Sequence, residues 1–565
     1  KEYGRKTGKE IHFYVATHSL VNYAQWKIMS PESRLLDVDE VDGFIAQVWT
    51  GTSGTGNVYE GHYKSRTFET AYLEYGIMQE LVKGTDKEVW FLQDPVEDNP
   101  EHGWEEYADK YKKTLTAALF WPDVDHYEVC PWPNRVFKGR YPRKVGLAEG
   151  MIPTEDMEGA KNIPDTYATF LAGMIQTLGD MTKEESETEK DAVGVFLADS
   201  CMYQRTYPDQ VEHHGQKINL SGMEDWMNRL IFQKEEERQL LLSMEKMEYA
   251  YKECCAFPDW FGLTLPLLKY GLPIQPVYFD HMVRYEEYLR KYRYLILSYE
   301  FMKPESEEFH HKLVEWVKQG GTLFYIGKDF DPYNYLQEWW QKFSCDTPAQ
   351  HLFAEFGMDK EPANGCYRIG EGNVLVWNEV PALLSVNEAI ADKYRNWIRE
   401  GLKMGGYHWN MCNYLSVRRD PYIVIASMQE SDTGSVYTKE GLFVDLYEDK
   451  YPVVERVLVE PGQEKLLFDL EKIKEDVRII ATAARIENMA CENGQLSIEA
   501  KAIDHIQVNM RIRLPGKPED LCAHTESGKN MELQSVWDEK SRTVLLSYRS
   551  NNEKVHITGK LKYES

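Results

Sequence analysis

Carboxylates and tryptophans cluster at the ends of two short apolar runs between Lys87 and Arg135. The first run ends in WFLQDPVEDNP, which contains Asp94 and Glu97, and the second lies in HYEVCPWPNRV, which contains Glu128. In a parallel β/α fold, catalytic residues collect at the carboxyl ends of the strands. Carboxyl groups can transfer protons to and from a glycosidic bond, and flat aromatic rings can stack on sugar faces. The pattern therefore predicts a site for carbohydrate chemistry.

The first of these segments offers several candidate catalytic acids. Asp94 lies where the strand must end, because Pro95 cannot donate to a β-ladder. Carboxylates as close together as Asp94, Glu97 and Asp98 repel one another, which can raise the pKa of one and make it a proton donor. The alternative is an Asp-Pro turn followed by the acidic start of a helix, which is the favoured interpretation for Asp98 and Asn99.

The second segment places a carboxyl group inside an apolar strand. Strand alternation predicts that Glu128, Cys130 and Trp132 share one face. Because burial of a bare carboxylate is unfavourable, Glu128 indicates either a polar cavity or a salt bridge that organises the site. Trp132, between two prolines, is suited to stack on a sugar, or else fills the core. Arg135 could neutralise a nearby carboxylate, which would be a structural role.

Two earlier segments supply hydrogen-bonding groups for hydroxyl recognition. His18 and Asn22 follow a predicted strand within THSLVNYAQW, and Gln47 and Trp49 lie on one face of the next strand. Several polar groups near one strand end suit the binding of a sugar, although a lone histidine is more often structural. The following GTSGTGN loop lacks the glycine order of a nucleotide-binding fingerprint.

The composition excludes several classes of function. A formal net charge of −27 leaves no basic field for phosphates, so we expect no nucleic-acid partner. No run of about 20 apolar residues is present, so we expect no membrane partner. Nine cysteines without a CxxC pair favour free thiols in a reducing compartment and hence a cytoplasmic location. HExxH, GxSxG and GKS/T motifs are absent from the sequence, so neither a metal nor a cofactor is expected.

Residues 1–185 alternate strands and helices. The predicted strands and helices are Ile11–Thr17, a helix beginning near Ser30, Asp42–Trp49, Arg66–Val82, Glu88–Leu92, Trp104–Leu119, His126–Cys130 and Ile163–Met181. Four β/α units in a row imply parallel strands with right-handed crossovers, which is half of a (β/α)8 barrel. The chain starts close to its first strand, so we expect the N-terminal half of the barrel to lie upstream.

The remainder of the chain predicts three further regions. Residues 190–330 are predicted to form a doubly wound α/β domain, into which a long charged helix, Met223–Cys255, is inserted. Residues 331–450 are predicted as a mixed α/β continuation. Short alternating strands with turn signals predict a β-sandwich over residues 453–565. The expected fold class is therefore α/β, a TIM barrel half followed by a flavodoxin-like domain and β-sandwich domains.

This order of domains resembles that of family 42 glycoside hydrolases and their relatives in the same clan. The segment EFHHKLVEWVKQGGTLFYIG is similar to the trimerisation domain of their β-galactosidases. The segments THSLVNYAQW, DGFIAQVWTGTS, RTFETAYLEYG, WFLQDPVEDNP and YEVCPWPNRVF are similar to a group of bacterial proteins with this architecture. The resemblance covers essentially the whole chain and implies a homotrimer that acts on a carbohydrate.

The resemblance also implies roles for individual residues. The four strands would be barrel strands five to eight, and two carboxylates would act by retention. An acid/base Glu would lie on strand four, which this sequence does not contain, and a nucleophile at the end of strand seven. Asp94 matches that second position, with Glu97 as its rival, although the clan uses Glu to set a carboxyl separation of about 5 Å. Trp132 matches a tryptophan that is common near the end of strand eight.

The function expected from these observations is retaining, exo-acting hydrolysis of a β-linked sugar. Two alternatives stay open: a non-catalytic carbohydrate-binding or assembly protein on a degenerate barrel, and another carbohydrate-active chemistry such as that of a lyase or transglycosylase. The sequence does not indicate the sugar, its linkage or the leaving group.

Overall fold

The computed structural model describes residues 1–26, 28–48, 50–96, 101–145, 153–182, 193–203, 210–213, 216–219, 257–329, 331–335 and 338–562. The predicted helix Met223–Cys255 therefore lies outside the described residues. Within the described part of the chain, no helix is long and apolar enough to cross a membrane.

The first unit is built around a parallel sheet of four strands that follow one another in chain order, β1-β2-β5-β6. Two antiparallel hairpins, β3-β4 and β7-β8, extend from its loops. In chain order the elements are α1 (Glu2–Thr7), β1 (Tyr14–Thr17), α2 (Leu20–Trp26), β2 (Gly43–Ala46), α3 (Thr50–Ser53), β3 (Gly56–Tyr59), β4 (His62–Ser65), α4 (Thr67–Val82), β5 (Glu88–Gln93), α5 (Trp104–Leu119), β6 (Tyr127–Val129), α6 (Pro133–Phe137), β7 (Arg140–Val145), β8 (Pro153–Asn162) and α7 (Asp165–Asp180).

Helix α4 lies between the first sheet and the next unit, and every residue from Thr67 to Leu81 is buried. Gly76 allows this close packing. A Cβ atom at Gly76 would lie 2.5 Å from the Trp121 ring and 2.9 Å from Pro276 of the next unit. Glycine is thus required here by close approach on two sides and not by its backbone conformation.

The second unit is a six-stranded sheet in the order β12-β9-β13-β14-β16-β15, parallel except for its edge strand β15. The chain begins in the interior of the sheet and reverses direction, as in doubly wound α/β sheets. A separate hairpin joins β10 and β11. The elements are β9 (Val193–Leu197), α8 (Ser200–Tyr203), β10 (Gln210–His213), β11 (Gln216–Asn219), α9 (Pro258–Leu268), β12 (Ile274–Tyr278), α10 (His281–Arg284), β13 (Tyr294–Leu297), α11 (Glu308–Lys318), β14 (Thr322–Ile326), α12 (Pro348–Glu355), β15 (Gly365–Ile369), β16 (Gly372–Trp377) and α13 (Glu388–Met404).

This sheet continues beyond the boundary expected at residue 330. Strand β16 pairs with β14 in parallel from Asn373 to Trp377, so the region predicted as a mixed continuation supplies two strands of the same sheet. The boundary was misplaced because strand pairing depends on residues about 50 positions apart, which local patterns do not report.

Two antiparallel β units follow. The first is a five-stranded sheet in the order β17-β18-β21-β19-β20, and the second consists of two sheets, β22-β25-β29-β28 and β23-β24-β30-β26-β27. Their elements are β17 (Tyr414–Arg419), β18 (Tyr422–Ser427), β19 (Tyr437–Asp445), β20 (Val453–Val459), β21 (Glu464–Asp469), β22 (Arg478–Thr482), β23 (Arg485–Glu492), β24 (Gln495–Lys501), β25 (Gln507–Arg513), β26 (Lys517–Thr525), β27 (Asn530–Met531), β28 (Gln534–Asp538), β29 (Thr543–Arg549) and β30 (Val555–Lys562).

The sheet-rich C-terminal part agrees with the sequence analysis, but its expected start at residue 453 falls inside the five-stranded sheet. Strand β21 pairs with β18 on one side and with β19 on the other, so residues before and after 453 form one sheet. The two-sheet unit begins at Arg478, and its apolar core also includes Ala168 and Ala172 of α7.

Six short 3-10 helices complete the description: Glu32–Asp37, Tyr288–Lys291, Pro332–Tyr335, Trp339–Phe343, Pro381–Ser385 and Leu470–Lys472.

Candidate active site

The register of the first sheet brings the predicted residues to one edge. Thr17 lies opposite Ala46, Ala46 opposite Phe91, and Gln93 opposite Val129. Because these pairs end parallel strands, the residues that follow them meet at the carboxyl edge of the sheet. His18, Gln47, Asp94 and Cys130 are these next residues, so four segments far apart in the sequence contribute to one edge.

Asp94 is buried at this edge, with an exposed fraction of 2%. Its Oδ1 accepts a hydrogen bond of 3.2 Å from the backbone N–H of Val96, as in an Asx turn, and its Oδ2 lies 3.9 Å from the Arg135 guanidinium. The Tyr167 hydroxyl donates to the carbonyl of Pro95 at 2.8 Å. The Asp-Pro turn and the ion pair with Arg135 that the sequence suggested are both present.

Glu128 is half-buried on β6, opposite Leu92 of β5. Asp94 follows the end of the neighbouring strand β5 at Gln93. Its charge acts on Tyr111, Cys130 and Tyr167, whose pKa values it helps to raise. Burial raises the pKa of Glu128 above its usual value, which favours the protonated carboxyl group.

The expected alternation does not extend from Glu128 to Trp132. Strand β6 ends at Val129, and Cys130 adopts a left-handed backbone conformation with φ 55°. Burial, with a further contribution from the charge of Asp94, raises the pKa of the Cys130 thiol to about 12. Trp132 then begins α6 with 57% of its surface exposed, so it does not fill the core.

His18 and Gln47 are in contact at the other end of the edge. His18 Nδ1 lies 3.3 Å from the carbonyl oxygen of Gln47, and the His18 backbone N–H donates to the Tyr23 hydroxyl at 3.2 Å. Both side chains are half-buried or buried beside the open edge.

Asn22 does not lie at this edge. Its side chain is 1% exposed and faces inward toward helix α4. The structure therefore does not support the prediction that Asn22 binds sugar hydroxyl groups, because Asn22 lies in the helix α2 of about two turns, whose residues 20–25 are all buried.

Trp49 and Glu97, the other two predicted site residues, lie outside the described residues.

Two residues near His18 were not singled out from the sequence. The Trp26 ring is 36% exposed, lies 5.5 Å from the His18 ring, and donates from Nε1 to Thr55 at 3.1 Å. Glu32 accepts hydrogen bonds from three hydroxyl groups, those of Thr17, Tyr23 and Ser30, at 2.5 to 2.9 Å. Trp26 ends the segment THSLVNYAQW, and an aromatic residue so close to His18 could have been recognised as a candidate from the sequence.

A buried ion cluster behind the site was also missed. Arg66 donates to both carboxylate oxygens of Glu430, Lys269 lies 3.0 Å from Glu430 and 2.6 Å from Glu69, and Lys64 approaches Glu430 to 2.8 Å. Burial opposes ionisation of Glu430, but the hydrogen bond from Arg66 and the charges of Lys269 and Arg66 outweigh it and hold its pKa well below the usual value.

Across the described ranges, no three histidine, cysteine, aspartate or glutamate side chains are arranged so that they could hold a metal ion.

Comparison with known proteins gives structural matches but no sequence matches. No family model matches the chain, and no curated protein matches it. A catalytic mutant of Gan42B, a GH42 β-galactosidase from G. stearothermophilus, aligns with a TM-score of 0.42 and 9% identity, over 78% of this chain and 61% of that chain.

Two further structures are similar in the same way. A β-galactosidase from Bacillus circulans sp. alkalophilus aligns with a TM-score of 0.40 and 12% identity, over 82% of this chain and 64% of that chain. An exo-carrageenase GH42 from Bacteroides ovatus gives a TM-score of 0.33 and 10% identity, over 78% and 51%. This chain spans about three-fifths of the length of the GH42 β-galactosidases that it matches.

Proposed function

We propose that the protein is a retaining, exo-acting glycoside hydrolase for a β-linked sugar. The observation that carries the proposal is the carboxyl edge of the first sheet, where Asp94 follows β5 and Glu128 lies near the end of the paired strand β6. Trp132 at one end of this edge and Trp26 at the other supply exposed aromatic rings. Carboxyl groups with flanking aromatic rings suit both the chemistry and the binding of a sugar.

In the proposed reaction Asp94, or its rival Glu97, attacks the anomeric carbon while the bond to the leaving oxygen breaks. A carboxylic acid gives its proton to that oxygen, and water then cleaves the glycosyl ester, so the configuration is retained. Arg135 places a positive charge 3.9 Å from the Asp94 carboxyl group, whose ionised form would attack. Glu128 is the group of this edge that burial inclines toward protonation.

We also propose that the four-stranded sheet is the second half of a (β/α)8 barrel, whose first half would supply the acid/base Glu. The face of this sheet opposite α4 supports the idea, since Ala16 is exposed and Ile45 and Trp90 are only half-buried there. In a closed barrel the residues of this face fill the interior in layers.

The six-stranded sheet is proposed to be a flavodoxin-like trimerisation domain, and the protein a homotrimer. The reversal of strand order within this sheet supports the first part of this proposal. A monomeric mass in sedimentation equilibrium at micromolar concentration would contradict the second part.

A non-catalytic carbohydrate-binding protein is the second candidate function. The deep burial of Asp94 and its engagement by Val96 and Arg135 favour it, because these contacts leave the carboxylate little freedom to reach a substrate. In that case Trp26 and Trp132 would bind sugar and no bond would be cleaved.

The deciding experiment is hydrolysis of a panel of nitrophenyl β-glycosides, with the anomeric configuration of the product followed by proton NMR. We expect turnover with retention, and loss of activity by several orders of magnitude in Asp94→Asn. Asp125→Asn, at the opposite end of β6, is the matched control and should retain activity. Saturable sugar binding without turnover would support the binding protein, and a product lighter by one water than the hydrolysis product would indicate a lyase.

A further inference from the structure

Glu74 is an unusual residue for the middle of helix α4. Its side chain is fully buried, with an exposed fraction of 0%. Among the described residues, none makes a hydrogen bond of normal geometry with either carboxyl oxygen. A buried carboxyl group without such partners is unfavourable, so it requires an explanation from its surroundings.

Asn22, on helix α2, which packs against α4, is also a buried polar residue without hydrogen bonds of normal geometry. Its side chain is 1% exposed, and neither Oδ1 nor Nδ2 makes a hydrogen bond of normal geometry within the described part of the chain. Asn22 and Thr52 of α3 are the polar groups that act on the Glu74 carboxyl. Two buried side chains with unused hydrogen-bonding capacity thus face each other across the α2–α4 contact.

Their donors and acceptors are complementary. A protonated carboxyl group offers one O–H donor and one carbonyl acceptor, and a primary amide offers N–H donors and one carbonyl acceptor. An acid–amide pair satisfies one donor and one acceptor on each side with no charge in the core.

We propose that Glu74, as a neutral carboxylic acid, and Asn22 form a buried hydrogen-bonded pair that fixes helix α2 on helix α4 and thereby positions His18 and Trp26 at the carboxyl edge. Glu74 is in this sense a positioning residue. The role of the edge itself rests on the proposed function, whereas the pair does not.

The support beneath Glu74 is rigid. The hydroxyl of the adjacent Tyr75 contacts the carbonyl oxygens of Val48 and Leu92 at 2.5 and 2.7 Å and accepts a hydrogen bond from Gln93 at 2.7 Å. These contacts tie α4 to the carboxyl ends of β2 and β5. The Glu74–Asn22 pair would extend the same anchoring to α2, and through α2 to the His18 end of the edge.

The proposed pair can form only at pH values at which Glu74 is protonated. Burial raises the pKa of Glu74 to about 8, against the opposing effect of Asn22 and Thr52. The charged or titratable group that faces it is the phenol of Tyr75 on its own helix, whose pKa burial raises far above 10; α2 and α3 present Asn22 and Thr52, which do not titrate. Above pH 8 the carboxyl group loses the O–H that it donates, and α2 should loosen.

The test is 19F NMR of the protein labelled with 5-fluorotryptophan, with the Trp26 resonance assigned from its loss in Trp26→Phe. We expect the Trp26 resonance of the unmodified chain to titrate with a midpoint near pH 8 and that of Glu74→Gln to be constant, since an amide pair cannot ionise. The matched control is Glu464→Gln, which removes another carboxyl group with a pKa of about 8, located on β21. Its Trp26 titration should match that of the unmodified chain.

If the Trp26 resonance still titrates in Glu74→Gln, the proposed Glu74–Asn22 pair is contradicted. If Glu74→Gln does not fold, Asn22→Leu decides the question, because loss of the amide that acts on the Glu74 carboxyl should shift the Trp26 midpoint. An unchanged midpoint in Asn22→Leu would also overturn it. None of these readouts needs a substrate, so failure of the pair is distinguishable from absence of glycosidase activity.

Discussion

Arg66 holds Glu430 through two parallel hydrogen bonds, from Nε to Oε2 at 2.8 Å and from Nη2 to Oε1 at 3.0 Å, although the two residues lie 364 positions apart. The guanidinium is buried, and Lys269 shares the same carboxylate. Glu430 itself has a left-handed backbone conformation, with φ 60°. The pair therefore connects the β3-β4 hairpin to the loop that follows β18.

Arg66→Ala should destabilise the protein by about 3 kcal/mol, because the loss of one partner leaves a buried carboxylate incompletely compensated. Denaturant unfolding measures this change in the free energy of unfolding. Arg456→Ala is the matched control, since its ion pair with Glu440 is exposed on both sides, and it should change stability little. Equal effects of the two substitutions would contradict a buried, tightly packed cluster.

Gly76→Ala should destabilise the contact between the first two sheets by about 1–3 kcal/mol through overpacking. The added methyl group would meet the Trp121 ring at 2.5 Å and Pro276 at 2.9 Å. Gly179→Ala in α7 is the control, because its Cβ would meet nothing within 4 Å. That substitution should raise stability by up to about 1 kcal/mol through helix propensity. Thermal unfolding of both variants provides the comparison.

Glu464→Gln should flatten the dependence of stability on pH. Burial raises the pKa of Glu464 to about 8 in the folded chain, whereas in the unfolded chain it is about 4.3. The folded state then binds the proton more tightly, so this contribution to stability is full below about pH 4.3 and is lost as the pH rises toward 8. The Tm difference between Glu464→Gln and the unmodified chain should grow in favour of Gln from pH 5 to pH 8. A difference that shrinks over this range would exclude the raised pKa.

Trp132→Ala should weaken substrate binding without affecting folding. The ring is 57% exposed, so few packing contacts are lost. Loss of an aromatic contact worth about 1.4 kcal/mol corresponds to about a tenfold rise in KM. Phe343→Ala, which removes another exposed aromatic ring, serves as the control and should leave KM unchanged. An unchanged KM in Trp132→Ala would remove this ring from the proposed binding site.

Local patterns predicted the elements of the first unit well. The predicted helix Trp104–Leu119 coincides with α5, and the predicted strand Glu88–Leu92 differs from β5 by one residue. Apolar spacing and flanking turn residues carry this information within a short window. The hairpin β3-β4 was not predicted, and its first two residues were assigned to the GTSGTGN loop. Its strands have only four residues each, and Arg66, which follows them, is held by Glu430 from a distant part of the chain.

Only those features of the candidate site that depend on residues close together in the sequence were predicted. Arg135 was expected to neutralise a nearby carboxylate, and its guanidinium lies 3.9 Å from Asp94. The burial of almost the whole of α2 could not be predicted from its seven residues, so Asn22 was expected to be accessible to a sugar. Arg66 and Glu74 were passed over because their surroundings come from distant segments. Both lie in RTFETAYLEYG, where helical spacing alone gave no reason to expect burial on all sides.

Helix α4 packs against both the first and the second sheet. Since Thr67–Leu81 has no solvent-facing residue, the helix cannot fray or slide without exposing apolar surface of the first and second sheets together. The two sheets should therefore open as one cooperative block, with a single class of slowly exchanging amides across both. The two-sheet unit from Arg478 onward packs against α7 and contributes no described residue to the core around α4, so it should open separately from that block.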